Sequence, residues 1–239
     1  ASSGIGLATC QKFKEKGWYV IGAARRRMKS KSPFSRYIMT DMADITSVKR
    51  LAADIISSEK GLDVIVNNAA CQICKPLLNT TVDDWNMVHT VNVVSPLVLA
   101  QSLYSLLKKH GVIVNIASVH AIATSPHIGA YASSKGALVA LTRSMAIEFA
   151  SDNIRVNAVL PGAVDTPMLR DGLQRGHIKG KTIKHLLAGL GRHHIMGRVG
   201  APEEIADVIY FCADNAQSSF MTGQTIIVDG GALCKLSTE

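Results

Sequence analysis

Short apolar runs and longer stretches with a helical apolar rhythm alternate along the chain from end to end. The runs are Trp18–Ala24, Tyr37–Met39, Val64–Val66, Val112–Ala117, Arg155–Leu160 and Thr225–Val228. Runs that stay apolar, without alternating polar positions, fit strands covered on both faces of a parallel sheet. Between them, the pattern predicts helices over Leu7–Lys16, Ile45–Glu59, from Thr81 past Pro96 with a kink at the proline, over Tyr131–Phe149, and from Pro202. Thr81, followed by Asp83 and Asp84, is a capped and acid-rich helix start. Alternating strand and helix with no linker and no internal repeat predicts one α/β domain over residues 1–239, built on a doubly wound parallel sheet. The Gly-, His- and base-rich stretch from Thr166 to Gly200 reads as a mobile cover over a site at the strand ends.

Ala1-Ser2-Ser3-Gly4-Ile5-Gly6 is a glycine-rich turn that enters a helix with no strand before it. Such a turn lets backbone N–H groups approach a pyrophosphate at the helix N-terminus. A doubly wound sheet without its first, central strand has unpaired neighbours. A preceding segment of roughly ten residues is therefore expected.

The strongest chemical signal is Tyr131-Ala132-Ser133-Ser134-Lys135, with Ser118 thirteen residues upstream. Tyr131 and Lys135, at i and i+4, project from one helix face. A phenol has a pKa near ~10, and an adjacent ammonium favours the phenolate. Ser118 follows the run Val112–Ala117, at a strand's carboxyl end, where open α/β sheets place their ligands. A hydroxyl there can hold a carbonyl oxygen while the tyrosine exchanges a proton with it. Taken alone, Tyr-x-x-x-Lys is more often a helix-surface pair than a catalytic one; the order of the motifs around it reverses that balance.

Composition narrows the setting. A hydrophobic content of 47% with 18% charged residues excludes a disordered chain. The apolar region Val91–Leu107 is interrupted by Asn92, Ser95, Pro96, Gln101 and Ser102, which argues against a membrane span, and no export signal opens the sequence. Five cysteines at scattered spacing fit free thiols in a reducing, cytoplasmic compartment, and Cys71-x-x-Cys74 lacks further ligands for a metal. The net charge of +8 gathers in Lys12–Arg36 and Arg170–Arg198 without a nucleic-acid-binding motif. An anionic cofactor or substrate accounts for it better. At the end of the run Trp18–Ala24 stand Ala24 and Arg25, where an acid would bond ribose hydroxyls. A guanidinium pairs instead with a 2′-phosphate, so NADP is expected over NAD.

Together, Ser2-Ser3-Gly4-Ile5-Gly6, Asn67-Asn68-Ala69-Ala70, Asn92, Ser118, Tyr131-x-x-x-Lys135, Pro161-Gly162 with Thr166, and Asp229-Gly230-Gly231 resemble the short-chain dehydrogenase/reductase family in its compact subfamily. Two departures stand out: the Thr-Gly opening is absent, and Ala70 replaces a glycine. The resemblance implies Tyr131 as proton donor or acceptor, with Lys135 depressing its pKa and bonding the nicotinamide ribose. It implies Ser118 as the group orienting the substrate oxygen, and Asn92 as support for a water-linked proton relay to Lys135. For Asn92 the plain alternative is a hydrogen bond at a helix kink. Cofactor contacts are implied for Ser2, Ser3, Ile5, Asp41, Met42, Asn68, Val164 and Thr166, besides Arg25, Tyr131 and Lys135. It also implies a homodimer or homotetramer. His120 and His127 receive no role. The expected activity is hydride transfer between nicotinamide and a secondary alcohol or ketone, such as a small polyol or sugar acid. The alternatives are a 3-oxoacyl-thioester reductase and an inactive nucleotide-binding scaffold.

Overall fold

A computed structural model describes residues 1–27, 33–173 and 182–234, with Lys108 and Lys109 described by backbone only. The strands are β1 (Ile21–Ala24), β2 (Arg36–Met39), β3 (Leu62–Asn67), β4 (Leu107–Ile116), β5 (Arg155–Pro161) and β6 (Thr225–Val228). Every pairing is parallel, as the apolar runs predict. The helices are α1 (Gly4–Glu15), α2 (Ile45–Ser58), α3 (Val82–His89), α4 (Ser95–Leu103), α5 (Gly129–Glu148), α6 (Pro167–Leu173), α7 (Ile183–Gly191), α8 (Pro202–Ala213) and α9 (Asn215–Ser218).

Successive residues of β4 serve opposite cores. Ile113 packs with Val48 and Leu51 of α2, Leu99 of α4 and Met145 of α5. Val112 and Val114 pack with Phe13 of α1 and Ile205 and Ile209 of α8. Helices therefore cover both faces, which is the doubly wound arrangement. Polar side chains inside it are paired: Asn67 Nδ2 donates to Asn115 Oδ1 at 2.8 Å, and Asn115 Nδ2 donates to Thr142 Oγ1 at 2.9 Å. These bonds lock β3 to β4 and β4 to α5 where a bare amide would be costly.

The strands form two groups, β1-β2 and β3-β4-β5-β6, and among the described residues no strand joins them. The edges of β1 and β3 that are not paired face a cavity of about 370 Å³, lined by Phe13, Ile21, Ala23, Val64, Val66 and Leu99 among others. The Ala1 backbone nitrogen donates to the Ala23 carbonyl at 2.9 Å on this border.

Element ends differ from the sequence reading in instructive places. Helix α1 begins at Gly4, so the glycine turn is its first turn. The expected kink at Pro96 is a π-helical segment, Thr90–Val94, immediately before α4, whose first residues carry the proline. Proline has no N–H for the α-helical ladder, and a widened turn absorbs the defect. The described parts of the segment 166–200 carry α6 and α7. The segment is fastened to the strand ends by Gly200 N–H to Ala163 O at 2.8 Å and by Met196 N–H to Gly230 O at 3.1 Å.

Candidate active site

Ser118, Tyr131 and Lys135 converge at the carboxyl end of β4. Ser118 is buried in an extended conformation and caps the short turn Val119–Ala121, its Oγ accepting from the His120 N–H at 3.2 Å. Tyr131 and Lys135 lie one turn apart on the buried face of α5, 8% and 1% exposed. The Lys135 Nζ lies 5.5 Å from the Tyr131 ring centre and donates to the Ile116 carbonyl at 2.7 Å.

The electrostatics run opposite to the expected depression of the tyrosine. Burial pushes Tyr131 up to about 12, while its hydrogen bond with Ser118 works the other way. Burial pushes Lys135 down to about 7. The amine spends its hydrogen bond on Ile116, so in this arrangement loss of water outweighs its attraction for a phenolate. The phenol is thus protonated at neutral pH and can act as a donor. The lysine titrates in the neutral range and can exchange a proton there.

Asn92 sits in the π-helical segment and is fully buried. Its Oδ1 accepts from the Cys71 N–H at 2.8 Å, and its Nδ2 donates to Cys71 O and Ser134 Oγ, both at 2.9 Å. The side chain therefore ties the loop after β3 to α5, and none of these bonds reaches Lys135. Ser134, which the sequence reading passed over, is the link: its Oγ donates to Tyr131 O at 2.7 Å. Its signal was its place between Tyr131 and Lys135 on a face that packs inward.

The implied cofactor residues gather along the same strand ends. Ser3, exposed, is the N-cap of α1 without using its side chain there, beside partly buried Ser2 and Ile5. The first-turn N–H groups of a helix lack intrahelical partners. Gly4 has φ +52°, and a Cβ on it would come within 3.0 Å of Thr166 Cγ2. A Cβ on Gly6 would come within 2.5 Å of Asn68 Nδ2. The glycine turn, Asn68 and Thr166 are thereby pressed together, and a dinucleotide phosphate fits this turn. Thr166 Oγ1 accepts from Leu169 N–H at 3.2 Å and caps α6. Val164 is buried and bridges to Gly200. Beyond β2, Asp41 accepts from the Ala43 N–H at 3.0 Å, and the Met42 carbonyl accepts from Ser95 Oγ at 2.6 Å. Arg25 is exposed at the end of β1; burial pushes the Cys71 thiol up, and the Arg25 charge nearby offsets only part of that rise. His127 is exposed on the loop before α5 with φ +70°. Among the described residues no cluster of three or more His, Cys, Asp or Glu could hold a metal ion. Nor is any described helix long and apolar enough to cross a membrane.

A parallel sheet covered on both faces, a glycine turn opening its first helix, and a serine, tyrosine and lysine at a strand end define a dinucleotide-dependent oxidoreductase. Residues 1–232 match the family model described as enoyl-(acyl carrier protein) reductase. A glucose 1-dehydrogenase of Gluconobacter oxydans is 36% identical over 245 residues, covering 97% of this chain and 88% of the relative. The ligand-free aldohexose dehydrogenase of Thermoplasma acidophilum superposes with a TM-score of 0.92 at 29% identity, covering 99% of this chain and 92% of that one. A 4-hydroxyisoleucine dehydrogenase complexed with NADH superposes with a TM-score of 0.86 at 30% identity, covering 99% and 97%. The chain belongs to the short-chain dehydrogenase/reductase family. It is an oxidoreductase of CH–OH groups that uses a nicotinamide cofactor and acts on small molecules.

Proposed function

We propose that the protein interconverts a secondary alcohol and a ketone on a small polyol or sugar-like molecule, with NADP as the preferred cofactor. The observation that carries the reading is the joint burial of Ser118, Tyr131 and Lys135 at one strand end. When bound, the nicotinamide supplies or accepts the hydride. Ser118 holds the substrate oxygen by its hydroxyl. Tyr131, protonated at neutral pH, donates to that oxygen as reduction proceeds. Lys135, titrating near neutrality, returns a proton toward the phenol and holds a ribose hydroxyl by its ammonium form. Asn92 is a positioning residue: through Ser134 and Cys71 it fixes α5 against the loop after β3.

Sugar-like substrates are supported by the names of two relatives, a glucose and an aldohexose dehydrogenase. NADP is supported by Ala24 and exposed Arg25, where no carboxylate repels a 2′-phosphate. A charge-assisted hydrogen bond contributes about 1.5–3 kcal/mol, roughly tenfold to a hundredfold in selectivity. A homodimer or homotetramer is supported by apolar side chains left exposed on α3 and α5, including Val82, Met87 and Ile147. The free cysteines support a cytoplasmic setting. The test is a panel of sugars, polyols and ketones with both cofactors, read by nicotinamide absorbance. Turnover should appear with NADPH or NADP and should be lost in Tyr131→Phe. Equal turnover in that variant would refute the assignment.

A further inference from the structure

The chain bends away from the carboxyl end of β1 at Ala24-Arg25-Arg26, and the neighbouring strand supplies the side chain that shapes the bend. Tyr37 lies in β2 opposite Gly22 of β1. Phe34 lies against that glycine, where a Cβ would come within 2.3 Å of Phe34 Cδ1, and its ring meets the Tyr37 ring with centroids 5.1 Å apart. From there the Tyr37 hydroxyl reaches the end of β1. Its one proton is shared between the Arg26 carbonyl and, at 3.4 Å, the Ala24 carbonyl. Partial burial raises its pKa, so the phenol is protonated at neutral pH. The two carbonyls it holds flank Arg25 in the chain.

The direction of those carbonyls decides where the intervening donors point. In a trans peptide the N–H lies opposite the C=O. The Ala24 carbonyl faces β2, where it also accepts from the Thr40 N–H at 3.1 Å. The Arg25 N–H therefore faces the other way, to the side of β1 on which Ala1 meets the Ala23 carbonyl and the glycine turn begins. A dinucleotide phosphate fits that same turn. A peptide carbonyl that swung round toward a bound phosphate would repel it. A phenol that draws both carbonyls toward β2 removes this repulsion and fixes the bend before the ligand arrives, which lowers the ordering cost of binding.

Resting on the NADP reading, we infer that Tyr37 is a positioning residue for cofactor selectivity: its hydroxyl presets the Ala24–Arg26 bend so that the Arg25 N–H and guanidinium meet the 2′-phosphate. Arg25 contributes the charge and Tyr37 the shape. The phenol acts through the bend and not on the cofactor itself, so its effect is confined to ligands that carry a phosphate at that position. A side chain that merely stabilised the bend would affect all adenosine ligands alike.

The test is calorimetric titration of the protein with adenosine 2′,5′-bisphosphate and with adenosine 5′-monophosphate, which differ by the 2′-phosphate alone. The wild type should bind the bisphosphate more tightly. Tyr37→Phe keeps the ring and its contact with Phe34. It should weaken the bisphosphate by roughly twofold to tenfold, the range of one neutral hydrogen bond, and leave the monophosphate unchanged. In an Arg25→Ala background the loss caused by Tyr37→Phe should be smaller than in the parent, because both residues act on one phosphate. Equal weakening of both ligands by Tyr37→Phe, no weakening of either, or the same loss with and without Arg25 would overturn the role of Tyr37, and a wild-type preference for the bisphosphate would leave the NADP reading standing. A wild type that binds the two ligands alike would overturn the NADP reading and this inference with it.

Discussion

Replacing Lys135 by methionine should separate stability from activity, and pH should expose the cause. The side chain is 1% exposed, and burial brings its pKa down to about 7 from an unfolded value near 10.5. Between those values the unfolded chain binds more protons than the folded one, so stability rises with pH across this window. Below pH 7 the amine is charged in both states, and the full cost of burying it is present. The slope is about 1.4 kcal/mol per pH unit, which gives roughly 2.5 kcal/mol between pH 7.5 and 9.5. Methionine is close in length, has no charge, and abolishes that slope. It forfeits the 2.7 Å bond to Ile116 O, a smaller loss of about 1 kcal/mol. Urea unfolding of cofactor-free wild type and Lys135→Met across this range provides the assay. The stability difference, wild type minus variant, should rise by about 2–3 kcal/mol from pH 7.5 to 9.5, with the variant the more stable at the acid end. The range stops short of pH 10, above which Tyr131, held at about 12, begins to lower wild-type stability as its unfolded form ionises. A difference that stays constant with pH would refute the reasoning, since it would mean that the amine keeps its charge in the folded protein.

Other consequences can be measured separately. Tyr131→Phe keeps the packing of the ring and removes its proton, so kcat should fall by roughly two to four powers of ten while cofactor affinity stays within a few-fold in a fluorescence titration. Asn92→Ala leaves Cys71 N–H, Cys71 O and the Ser134 hydroxyl short of a partner. Its unfolding free energy should drop by about 2–4 kcal/mol, with restoration by no apolar substitution at the site. For cofactor choice, Ala24→Asp with Arg25→Ala should shift the ratio of kcat/KM values from NADP toward NAD at fixed ionic strength. A parent enzyme that already favours NAD would show that Arg25 is turned to solvent.

Much of the architecture was legible because a buried parallel strand must be apolar throughout. Val64–Val66, Arg155–Leu160 and Thr225–Val228 all fall in strands, and the Tyr131 helix runs nearly as its periodicity indicates. The meeting of Tyr131 and Lys135 followed from helical spacing alone. What spacing could not show was the balance of forces on that pair, which depends on how completely α5 is covered. Asn92 illustrates the same limit. Its type and position pointed to the site, but its commitment to Cys71 and Ser134 depends on a π-helical turn, a local response to Pro96 that the hydrophobic pattern reads only as a kink. Helix α9 was missed because four residues are too few for a period to register.

In the proposed reaction hydride is delivered to a carbonyl carbon while Tyr131 protonates the oxygen. The most direct test uses NADPH deuterated at the transferred position and an α,β-unsaturated ketone, which offers both a carbonyl carbon and an alkene carbon. Analysis of the product by mass spectrometry and NMR locates the label. One deuterium is expected on the carbinol carbon of the allylic alcohol for each NADPH oxidised, with the alkene intact and the reaction lost in Tyr131→Phe. A saturated ketone carrying deuterium on the β-carbon would contradict it.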